Sequence, residues 1–420
     1  MQLISVIGAG VVGLATAVQL QQAGYQVTLI DKDGPAAGCS SGNAGHFATE
    51  QVFPLASFAV LRQLPIMLLN PTGPLRLRAG YLLRALPWLL RFVANVAPGR
   101  QQTLQQALSA LNQQALPAWQ RLLAVTQAED LVQYRGALLV SEQVSLKKLA
   151  ATFSQYQQAG VSVRWLEQAA LMAREPTLSR KVQGAIEFPD VAHTVDPYAL
   201  CMRLFAKFQA LGGEFRQHEV RRIRAHADGY MLDLAEGTAA GYSGQMAQQI
   251  RTPQLVISAG AWSHQLCRQL GWKVPLEAER GYHLMTQSRP LQCPVSSLER
   301  KFIMTPMLQG LRLAGTVEFA GRNSKPDYRR AKVLLRHANQ LLAEPTAADP
   351  QAEPWAGNRP SLPDSLPVLG ACPKHPGVFY NFGHQHLGLT WAACSAEILL
   401  ATIRGDKPAV AVTPYRINRF

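Results

Sequence analysis

Residues 3–31 read LISVIGAGVVGLATAVQLQQAGYQVTLID, and this stretch decides the fold of the chain. The runs Leu3–Ile7 and Val27–Ile30 are short, apolar and rich in β-branched residues, which is typical of strands buried on both faces of a parallel sheet. The residues between them follow a helical period until Gly24, which is placed to end the helix. A strand, a helix and a second strand in this order predict an α/β domain at the start of the chain.

Three glycines between the first strand and the helix form a GxGxxG motif. Gly8 allows the tight turn, Gly10 lets the backbone approach a pyrophosphate, and Gly13 lets the helix pack closely on the strand. The N–H groups at the start of the helix, at Val11 and Val12, supply hydrogen-bond donors and positive potential for phosphate. The motif therefore predicts a dinucleotide site at this turn.

An acidic residue stands where the second strand ends. Asp31 lies 18 residues after Gly13, close to the spacing at which a carboxylate accepts a hydrogen bond from a ribose hydroxyl. Its neighbour Lys32 is included in the predicted cofactor site. A carboxylate at this point argues against the 2′-phosphate of NADP, but the motif does not separate NAD from FAD.

The length suggests two or three domains, and one enzyme of two interlaced domains fits it equally well. The chain has 420 residues, 48% of them apolar, and a formal net charge of +14. This apolar share excludes wholesale disorder. The N-terminus begins with a strand rather than a secretory signal, and we find no run of about 18 uncharged apolar residues that could span a membrane. We therefore expect a cytoplasmic protein.

The six cysteines are far apart, and no two of them form a CxxC pair. This spacing argues against a structural zinc site and favours buried free thiols in a reducing compartment. His384 and His386 are separated by one residue on a glycine-containing segment, with no third ligand close in sequence, which is a poor metal signature. We predict no metal site.

Several blocks together resemble the D-amino acid oxidase superfamily of FAD enzymes, and within it the bacterial D-amino acid dehydrogenase branch. They keep the family order along nearly the whole chain. The segment at 356–370 is similar to the family pattern G-x-R-P…P-D…P-x-x-G, and the one at 383–390 to G-H-x-x-x-G-x-T. The blocks are the N-terminal stretch quoted above, SSGNAG at 40–45, VISAGAW at 256–262, AGNRPSLPDSLPVLG at 356–370 and GHQHLGLT at 383–390.

This resemblance implies an α/β fold, with a Rossmann-like FAD-binding domain interlaced with an antiparallel-sheet substrate domain. The FAD-binding domain would comprise residues 1–50, 190–275 and 350–420. The substrate domain would comprise residues 51–189 and 276–349, so the chain would cross between the two several times.

The resemblance also implies which residues hold FAD. Backbone N–H groups around Gly383, Gly388 and Leu389 would face the flavin carbonyl side and stabilise the reduced ring. Val220, at the end of a strand predicted over 214–220, would lie near the adenine. The other residues implied in the cofactor site are Ser41, Gly42, Asn43, Ala44, Gly45, Ala259, Gly260, Trp262, His384 and Thr390.

Asn43 occupies the place where some relatives carry the histidine that tethers FAD covalently. This departure favours noncovalent FAD, although His46 is near enough in sequence to remain an alternative point of attachment. His46 is also a candidate residue of the catalytic site.

Arg359 is implied as the clamp for the substrate carboxylate. A guanidinium binds a carboxylate through two parallel hydrogen bonds and does not lose its proton; the alternative is an ordinary surface arginine. Tyr282 or His283 would face the substrate. The alternative for this pair is core packing for Tyr282 and an exposed His283, and the sequence leaves both open.

The stretch at 51–128 contains seven arginines and no acidic residue. Within it, residues 58–96 combine Leu, Trp88, Phe92 and Tyr81 with arginine, as in segments that lie at an anionic membrane surface with Leu and Trp in the boundary. The alternative is a helical part of the substrate domain with solvated arginines.

Three further elements follow from local rules. Leu104–Leu123 has a helical pattern with an expected break or kink at Pro117. Asp196 is placed to cap a helix that starts at Pro197. The polar stretch Ala235–Gln249 suggests a hairpin or an insertion.

The predicted reaction is FAD-dependent oxidation of the Cα–N bond of a small amino acid, of D configuration, including proline or hydroxyproline types. Hydride would pass from Cα to flavin N5, and the imine would hydrolyse to a 2-oxo acid and ammonia. The neutral amine is the reactive form, so no strong protein base is needed. A quinone-type acceptor would take the electrons.

Other readings remain open at this point. One is a glycine- or sarcosine-type amine oxidase that uses oxygen. A more remote one takes the +14 charge as the footprint of a flavin module acting on tRNA. The arginines are scattered through apolar sequence, so we predict no nucleic-acid partner. An NAD-only dehydrogenase fits the first motif but not the C-terminal segments.

Overall fold

The computed structural model describes residues 2–62, 73–142, 146–236, 246–288 and 291–420. Residues 63–72 of the predicted membrane-facing segment and 237–245 of the predicted hairpin lie outside the described residues.

In the described residues, single strands and runs of consecutive strands are separated by helices. The strands are β1 Leu3–Ile7, β2 Gln26–Ile30, β3 His46–Phe47, β4 Leu75–Leu77, β5 Val132–Gln133, β6 Ala137–Ser141, β7 Arg164–Glu167, β8 Gly184–Phe188, β9 Ala192–Thr194, β10 Glu214–Arg216, β11 His218–His226, β12 Gly229–Glu236, β13 Met246–Thr252, β14 Gln254–Ile257, β15 Glu277–Thr286, β16 Val295–Ser297, β17 Phe302–Met307, β18 Gly310–Phe319, β19 Trp355–Ser361, β20 Val368–Ala371 and β21 Val378–Phe382. The helices are α1 Val11–Gln22, α2 Leu82–Ala94, α3 Pro98–Thr126, α4 Leu146–Gln158, α5 Gln168–Arg174, α6 Pro197–Ala210, α7 Ser263–Gln269, α8 Arg329–Leu341 and α9 Gly388–Arg404.

A six-stranded sheet forms the predicted Rossmann-like domain. Its strand order is β10-β2-β1-β14-β21-β20, with parallel pairs from β10 to β21 and an antiparallel β20 at one edge. Helices α1, α3, α6 and α9 share one apolar core. A second core joins this sheet to the small antiparallel sheet β11-β12-β13 and to α7. Helical layers on a mostly parallel sheet confirm the predicted α/β class.

The first turn confirms the structural roles predicted for two of its glycines. Gly8 has φ +107°, and a Cβ atom there would lie 2.4 Å from the Ser258 carbonyl oxygen. A Cβ on Gly13 would lie 1.8 Å from the Gly8 carbonyl oxygen. Glycine is therefore required at both positions, because the strand, the turn and α1 approach too closely for a side chain.

The second large sheet has nine strands and is mostly antiparallel. Its order is β19-β15-β18-β17-β16-β6-β8-β7, and β4 pairs with β18 as a branch. Helix α8 packs on it through Leu334, Ala338 and Leu341. This sheet matches the antiparallel sheet that the resemblance implies for the second domain. A small sheet, β3-β9-β5, completes the described sheets.

Two elements lie across the expected domain boundaries. Strand β19 belongs to the nine-stranded sheet although it falls in the range 350–420 assigned to the FAD-binding domain. Helix α3 packs with α1 and α9 although it falls in the range 51–189 assigned to the substrate domain. Both differences arise because backbone pairing and apolar burial between distant segments, rather than sequence order, decide where an element packs.

Local predictions outside the first turn have mixed outcomes. Asp196 caps α6, since its Oδ1 accepts from the N–H of Tyr198 at 2.9 Å and of Ala199 at 3.0 Å. Strands β12 and β13 pair as an antiparallel hairpin, one of the two forms expected there. The helix does not break at Pro117, one of the two outcomes expected there, because α3 continues through it and buries residues on both sides, including Ala115 and Trp119. The alternative of a kink stays a prediction.

Helix α2 exposes leucines and buries its tryptophan. Leu83 is 83% exposed, and Leu86, Leu90 and Val93 are exposed on the same side of the helix. Trp88 is buried and its Nε1 donates to the Ser361 carbonyl, so the expectation that this tryptophan enters a membrane boundary is wrong. Of the helices that the structure describes, none combines the length and the apolar character needed to cross a bilayer.

Candidate cofactor and substrate site

A cleft opens at the carboxyl ends of β1, β2 and β14, where ligands bind in open α/β sheets. It runs from β11, past the first turn, to the segment before α9. The predicted cofactor residues that line this cleft are Gly8, Gly10, Val11, Val12, Asp31, Lys32, Val220, Ala259, Gly260, Trp262, Gly383, His384 and Gly388.

The start of α1 faces this cleft. The N–H of Val11 donates to the Ser40 hydroxyl at 2.9 Å, and a Cβ on Gly10 would lie 3.1 Å from that same oxygen. Ser40 therefore ties the loop after β2 to the helix N-terminus. The first N–H groups of a helix have no intrahelical partner, so this end of the cleft carries positive potential.

Asp31 holds the turn beside this helix. Its Oδ2 accepts from the N–H of Ala9 at 2.8 Å, and its Oδ1 accepts from the N–H groups of Asp33 at 2.9 Å and Gly34 at 3.2 Å. Burial raises the pKa of Asp31 above its ordinary value, against these hydrogen bonds. The carboxylate thus fixes the backbone around the cleft that it lines.

The cleft wall carries buried polar atoms that the described residues leave without a hydrogen-bond partner. They are Ser258 Oγ, Asn358 Oδ1, Asn381 Oδ1 and His384 Nε2, and all four residues line the cleft. Burial lowers the pKa of His384 to about 3, so its imidazole is neutral. Buried polar atoms in native proteins are normally paired. Polar groups of a bound dinucleotide such as FAD are suited to meet these four.

Other predicted cofactor residues lie away from the cleft wall. Thr390 Oγ1 accepts from the N–H of Ala48 at 3.0 Å, and the Leu389 carbonyl accepts from Trp119 Nε1 at 2.8 Å. Gly13 packs against the turn, as described above. These contacts place Leu389 and Thr390 as ties between α9 and its neighbours.

The loop Ser40–Gly45 is held by its own side chains and by the nine-stranded sheet. Asn43 donates from Nδ2 to the Ser40 carbonyl at 2.6 Å and accepts from the Gly45 N–H at 2.7 Å. Arg312 donates to the carbonyls of Ser41 at 3.1 Å and Asn43 at 2.7 Å. Ala44 lies within the same loop, and none of 41–45 is among the described residues that line the cleft.

The ring of Trp355 explains why glycine is needed at positions 42 and 357. Its ring stacks on His283 with a centroid separation of 4.9 Å. A Cβ on Gly42 or on Gly357 would lie 2.1 Å from an atom of that ring. Gly42 is therefore needed for packing against Trp355, a role that the sequence did not indicate.

Arg359 on β19 lies directly opposite Glu279 on β15, on the same face of the sheet. Its Nη1 lies 3.2 Å from Glu279 Oε1 in an ion pair, and the guanidinium covers Gly281, where a Cβ would lie 2.3 Å from Nη2. Its neighbours in sequence, Asn358 and Pro360, line the cleft. The Arg359 side chain is 23% exposed, so a small anion can reach it.

His283 shares this side of β15. Its Nδ1 donates to the Gly42 carbonyl at 2.9 Å, and the residue is buried. Burial, together with the charge of Arg312, lowers the pKa of His283 to about 3. The alternative of an exposed His283 is therefore wrong, and the imidazole is neutral.

Tyr282 and Arg280 point to the opposite side of β15. Tyr282 donates to Glu318 Oε2 at 2.6 Å, and Arg280 Nη1 contacts the same oxygen at 3.1 Å. Arg78 Nε pairs with the other oxygen of Glu318 at 2.8 Å. Tyr282 is fully buried in this cluster and does not line the cleft, which corresponds to the core-packing alternative.

His46 lies next to a carboxylate that the sequence did not single out. Its Nε2 lies 2.9 Å from Glu50 Oε1, and both side chains are buried. Burial raises the pKa of Glu50, but the charge and hydrogen bond of His46 outweigh it and leave the pKa below its ordinary value. His386, which is exposed, lies within electrostatic reach of Glu50, Glu279 and Arg359.

Sequence reasoning missed several residues of this site. Arg312 stands between leucines in a strand pattern, and a charge in such a buried position could have indicated a role. Glu279 had no comparable signal, because its partner Arg359 is 80 residues away in sequence. For Glu50, the only signal was its position four residues after His46. Further lining residues that were not predicted are Gly38, Cys39, Ser40, His218, Glu219, Gln265 and Gln385.

Comparison with known proteins gives a consistent family. Residues 4–402 match the DAO family, described as FAD dependent oxidoreductase. D-amino-acid oxidase from Bradyrhizobium diazoefficiens is 30% identical over 99% of this chain and 98% of its own length. D-amino acid dehydrogenase 2 from Ralstonia nicotianae is 32% identical over 99% of this chain and 100% of its own length.

Solved structures share the fold. Glycine oxidase from Geobacillus kaustophilus superposes with a TM-score of 0.74 at 19% identity and covers 100% of both chains. L-proline dehydrogenase from P. horikoshii gives a TM-score of 0.74 at 16% identity, covering 100% of this chain and 97% of its own. The cleft, its unpaired polar atoms and the match along nearly the whole chain agree, and this FAD-dependent oxidoreductase belongs to the DAO family.

Proposed function

We propose that this enzyme deaminates D-amino acids oxidatively to 2-oxo acids and passes the electrons to a quinone-type acceptor. The observation that carries the proposal is Arg359, a partly exposed guanidinium held over Gly281 by Glu279, beside the cleft. A carboxylate-bearing substrate is the natural partner of such a group. The full-length relatives named for D-amino acid oxidation support the choice of substrate.

The residues of this chain bind and orient the substrate. Arg359 binds the substrate carboxylate through the guanidinium N–H groups that Glu279 leaves free, which fixes the position of Cα. Neutral His283 and the Trp355 ring form an apolar, uncharged wall near the loop at 40–45. The helix start at Val11 and Val12 and the unpaired polar atoms of Ser258 and His384 suit the holding of FAD. When bound, FAD supplies the hydride acceptor for Cα–H.

The proposal is tested by flavin bleaching under anaerobic conditions. Purified protein would be mixed with D- and L-isomers of the same amino acids, with both isomers of proline and hydroxyproline, and with glycine and sarcosine. We expect bleaching by D-isomers at least about ten times faster than by L-isomers, since a single clamp and a hydride acceptor fix which face of Cα reacts. Reoxidation should be slow in air and fast with a soluble quinone.

Two outcomes would contradict this proposal. Bleaching by glycine or sarcosine alone, with rapid reoxidation in air and peroxide release, would favour an oxygen-using amine oxidase. Bleaching by no amine, with FAD bound, would mean that the family resemblance extends to the cofactor and not to this reaction.

We also propose that FAD is bound noncovalently. Both polar atoms of the Asn43 side chain are used within the loop, and His46 is paired with Glu50. Acid precipitation should therefore release the flavin into the supernatant. Yellow colour that stays with the precipitate would contradict the proposal.

We further propose that α2 lies on an anionic membrane surface, where a lipid quinone is accessible. Leu83, Leu86, Leu90 and Val93 form an exposed apolar stripe, and exposed Arg84 and Arg91 are on the same helix. An amphipathic segment with arginines and no acidic residue binds anionic headgroups while its apolar side enters the boundary.

Cosedimentation with vesicles tests this membrane contact. The protein should bind phosphatidylserine vesicles, and a Leu83→Asp/Leu90→Asp variant should lose at least about tenfold in binding. Leu308→Asp, which changes an exposed leucine between β17 and β18, is the matched control. Equal binding by all three proteins would contradict the proposal, and a change from dimer to monomer in the α2 variant would show that a second copy covers this stripe.

A further inference from the structure

Two glycines lie opposite each other on strands β15 and β19, and two large side chains reach over them. Gly281 and Gly357 are direct partners in the register of these strands. A Cβ on Gly281 would lie 2.3 Å from Arg359 Nη2, and a Cβ on Gly357 would lie 2.1 Å from Trp355 Cη2. Positions 355, 357 and 359 share one side of β19, since side chains alternate along a strand. Arg359 and Trp355 thus converge on the glycine pair.

These contacts limit the distance between the guanidinium and the indole. Cβ positions of directly opposite residues lie about 4.5–5.5 Å apart, so Arg359 Nη2 and Trp355 Cη2 are at most about 10 Å apart. A carboxylate oxygen about 2.8 Å from a guanidinium nitrogen places the Cα of an amino acid about 5 Å from that nitrogen. The side chain of an amino acid that extends from Arg359 along the glycine pair would therefore meet the indole.

The ring of Trp355 is fixed by its other neighbours. It stacks on the His283 imidazole with a centroid separation of 4.9 Å and an interplanar angle of 12°. The loop at 40–45 packs on it as well, since a Cβ on Gly42 would lie 2.1 Å from the ring. The residue is nevertheless only partly buried. Trp355 thus presents a fixed apolar surface between this loop and Arg359.

The charged groups described around this ring are engaged with other partners. Arg312 donates to two carbonyls of the loop at 40–45, and Glu279 is paired with Arg359. His283 is neutral, because burial and the charge of Arg312 lower its pKa to about 3. A charged substrate side chain would lose hydration against the indole without gaining a counter-charge, whereas an apolar side chain gains from leaving water.

We propose that Trp355 is a specificity-determining residue, whose ring packs on the side chain of the substrate that Arg359 holds and favours uncharged apolar side chains. This inference rests on the proposed function, since it takes Arg359 as the carboxylate clamp. The favoured substrates are D-amino acids with aliphatic or ring-forming side chains, over those with acidic side chains. The indole stabilises the complex in proportion to the apolar surface that it covers.

Binding of carboxylates that lack an amine tests the inference without turnover. The FAD-loaded protein would be titrated with straight-chain carboxylates from acetate to pentanoate, and the change in flavin absorbance would give each Kd. In wild type, each added methylene should lower the Kd about three- to fourfold, the gain from burying one methylene. In Trp355→Ala this gain should fall below about twofold. Acetate should bind to both proteins equally, because Arg359 is intact.

Two further variants separate a substrate wall from a merely structural tryptophan. Trp355→Phe keeps a smaller aromatic ring, so its gain per methylene should lie between those of wild type and Trp355→Ala. Trp272→Ala is the matched control, since it removes a ring that lies under Lys374 against the core of the six-stranded sheet. Its gain per methylene should equal that of wild type. The melting temperature and FAD absorbance would show that each variant is folded and loaded.

Flavin reduction by amino acids extends the test to the reaction. In wild type, D-leucine should give a kcat/KM at least about 10-fold above that of D-glutamate. Trp355→Ala should lose at least about 10-fold in kcat/KM for D-leucine, and much less for D-alanine, whose side chain is a single methyl group. The loss should appear in KM rather than in kcat, because the indole contacts the side chain and not the reacting Cα–H bond.

An equal gain per methylene in wild type and Trp355→Ala, or no gain in wild type, would overturn the assignment of Trp355. If Trp355→Ala did not hold FAD, a reduced gain in Trp355→Phe would support the assignment and an unchanged gain would overturn it.

Failure of the proposed function gives a different result. Carboxylate binding that strengthens with chain length, and that Trp355→Ala weakens, in a protein whose flavin no D-amino acid reduces, would overturn the proposed function and leave Trp355 as the wall of a carboxylate site. Reduction by D-amino acids in a protein whose flavin spectrum no carboxylate changes, with the same preference among side chains in wild type and Trp355→Ala, would overturn this inference alone.

Discussion

The two sides of strand β15 show what separates a structural polar cluster from a site. On one side, Arg280 and Tyr282 surround Glu318, which is fully buried and satisfied by several donors. On the other side, Glu279 holds Arg359 by a single contact of 3.2 Å, and Arg359 remains partly exposed. Consecutive residues of the same strand thus belong to two different environments. In one, the charges of Arg280 and Glu318 are buried and paired, and in the other, an arginine is partly exposed and has one partner.

The difference lies in how many partners each charge has and in whether solvent reaches it. A buried charge must be fully paired, because an unpaired one is costly. Arg359 has one carboxylate partner and an open side, so its remaining guanidinium N–H groups can bind a substrate carboxylate while the buried Glu279 keeps its partner. The exposed side of the pair is therefore what makes Arg359 suited to binding.

Removing the carboxylate of the structural cluster should have the largest effect. Glu318→Gln leaves Arg280 buried without a counter-charge, so the free energy of unfolding should fall by about 3–5 kcal/mol. Denaturant or thermal unfolding followed by fluorescence measures this loss. Glu344→Gln, an exposed carboxylate, is the matched control, and a loss of less than about 1 kcal/mol for Glu318→Gln would show that this cluster is not a structural unit.

Sequence alone predicted the parts of the fold that obey local rules. The first turn, its glycines and the Asp196 cap depend on residues within a few positions of one another, so their geometry follows from their order. The sequence left Tyr282 and His283 as alternative site residues. Adjacent side chains in a strand point to opposite sides, and which side faces the site depends on the pairing of β15 with β18 and β19.

The errors have the same cause. Trp88 was expected at a membrane boundary, but the rotation of α2 is decided by packing against Ser361 and Phe319, which are distant in sequence. Pro117 was expected to break or kink a helix, and the break does not occur because burial on both sides of it maintains α3. Non-local burial, which a single sequence does not reveal, decided each outcome.

Loss of the clamp should have the next largest effect, and on binding rather than on folding. Arg359→Ala should raise the KM for D-amino acids by about 100-fold or more, because a charge-assisted bidentate pair is lost. Arg359→Lys keeps the charge but not the planar pair of donors, so its KM should lie between those of wild type and Arg359→Ala. Steady-state kinetics and the melting temperature would be compared. Unchanged kinetics in Arg359→Ala would show that Arg359 does not bind the substrate carboxylate.

A smaller effect should come from the glycine beneath the guanidinium. In Gly281→Ala, the new Cβ would lie 2.3 Å from Arg359 Nη2, so the guanidinium must shift. We expect the KM to rise by about 10-fold, since small displacements of a positioning group weaken productive binding. Gly99→Ala, where nothing lies within 4 Å of the new Cβ, is the control. Equal KM values in the two variants would mean that Arg359 is not held over Gly281.

The smallest effect concerns His283, which is on the site side of β15 yet is enclosed like the structural cluster. Its pKa is lowered to about 3 by burial and by Arg312, whereas the unfolded imidazole titrates near about 6.5. Because the unfolded chain then binds more protons, the stability contribution is present above about pH 6.5 and is lost as the pH falls toward 3.

His283→Asn, which can still donate to the Gly42 carbonyl, should remove this part of the acid sensitivity. We expect about 1 kcal/mol less destabilisation between about pH 8 and pH 6 than in wild type, measured by urea unfolding. His384, lowered by burial to about the same pKa, contributes equally in both proteins. His226→Asn removes an exposed imidazole and should leave the pH dependence unchanged. If His283→Asn also left the pH dependence of stability unchanged, His283 would be open to solvent. It would then belong functionally with Arg359 rather than with the enclosed cluster around Glu318.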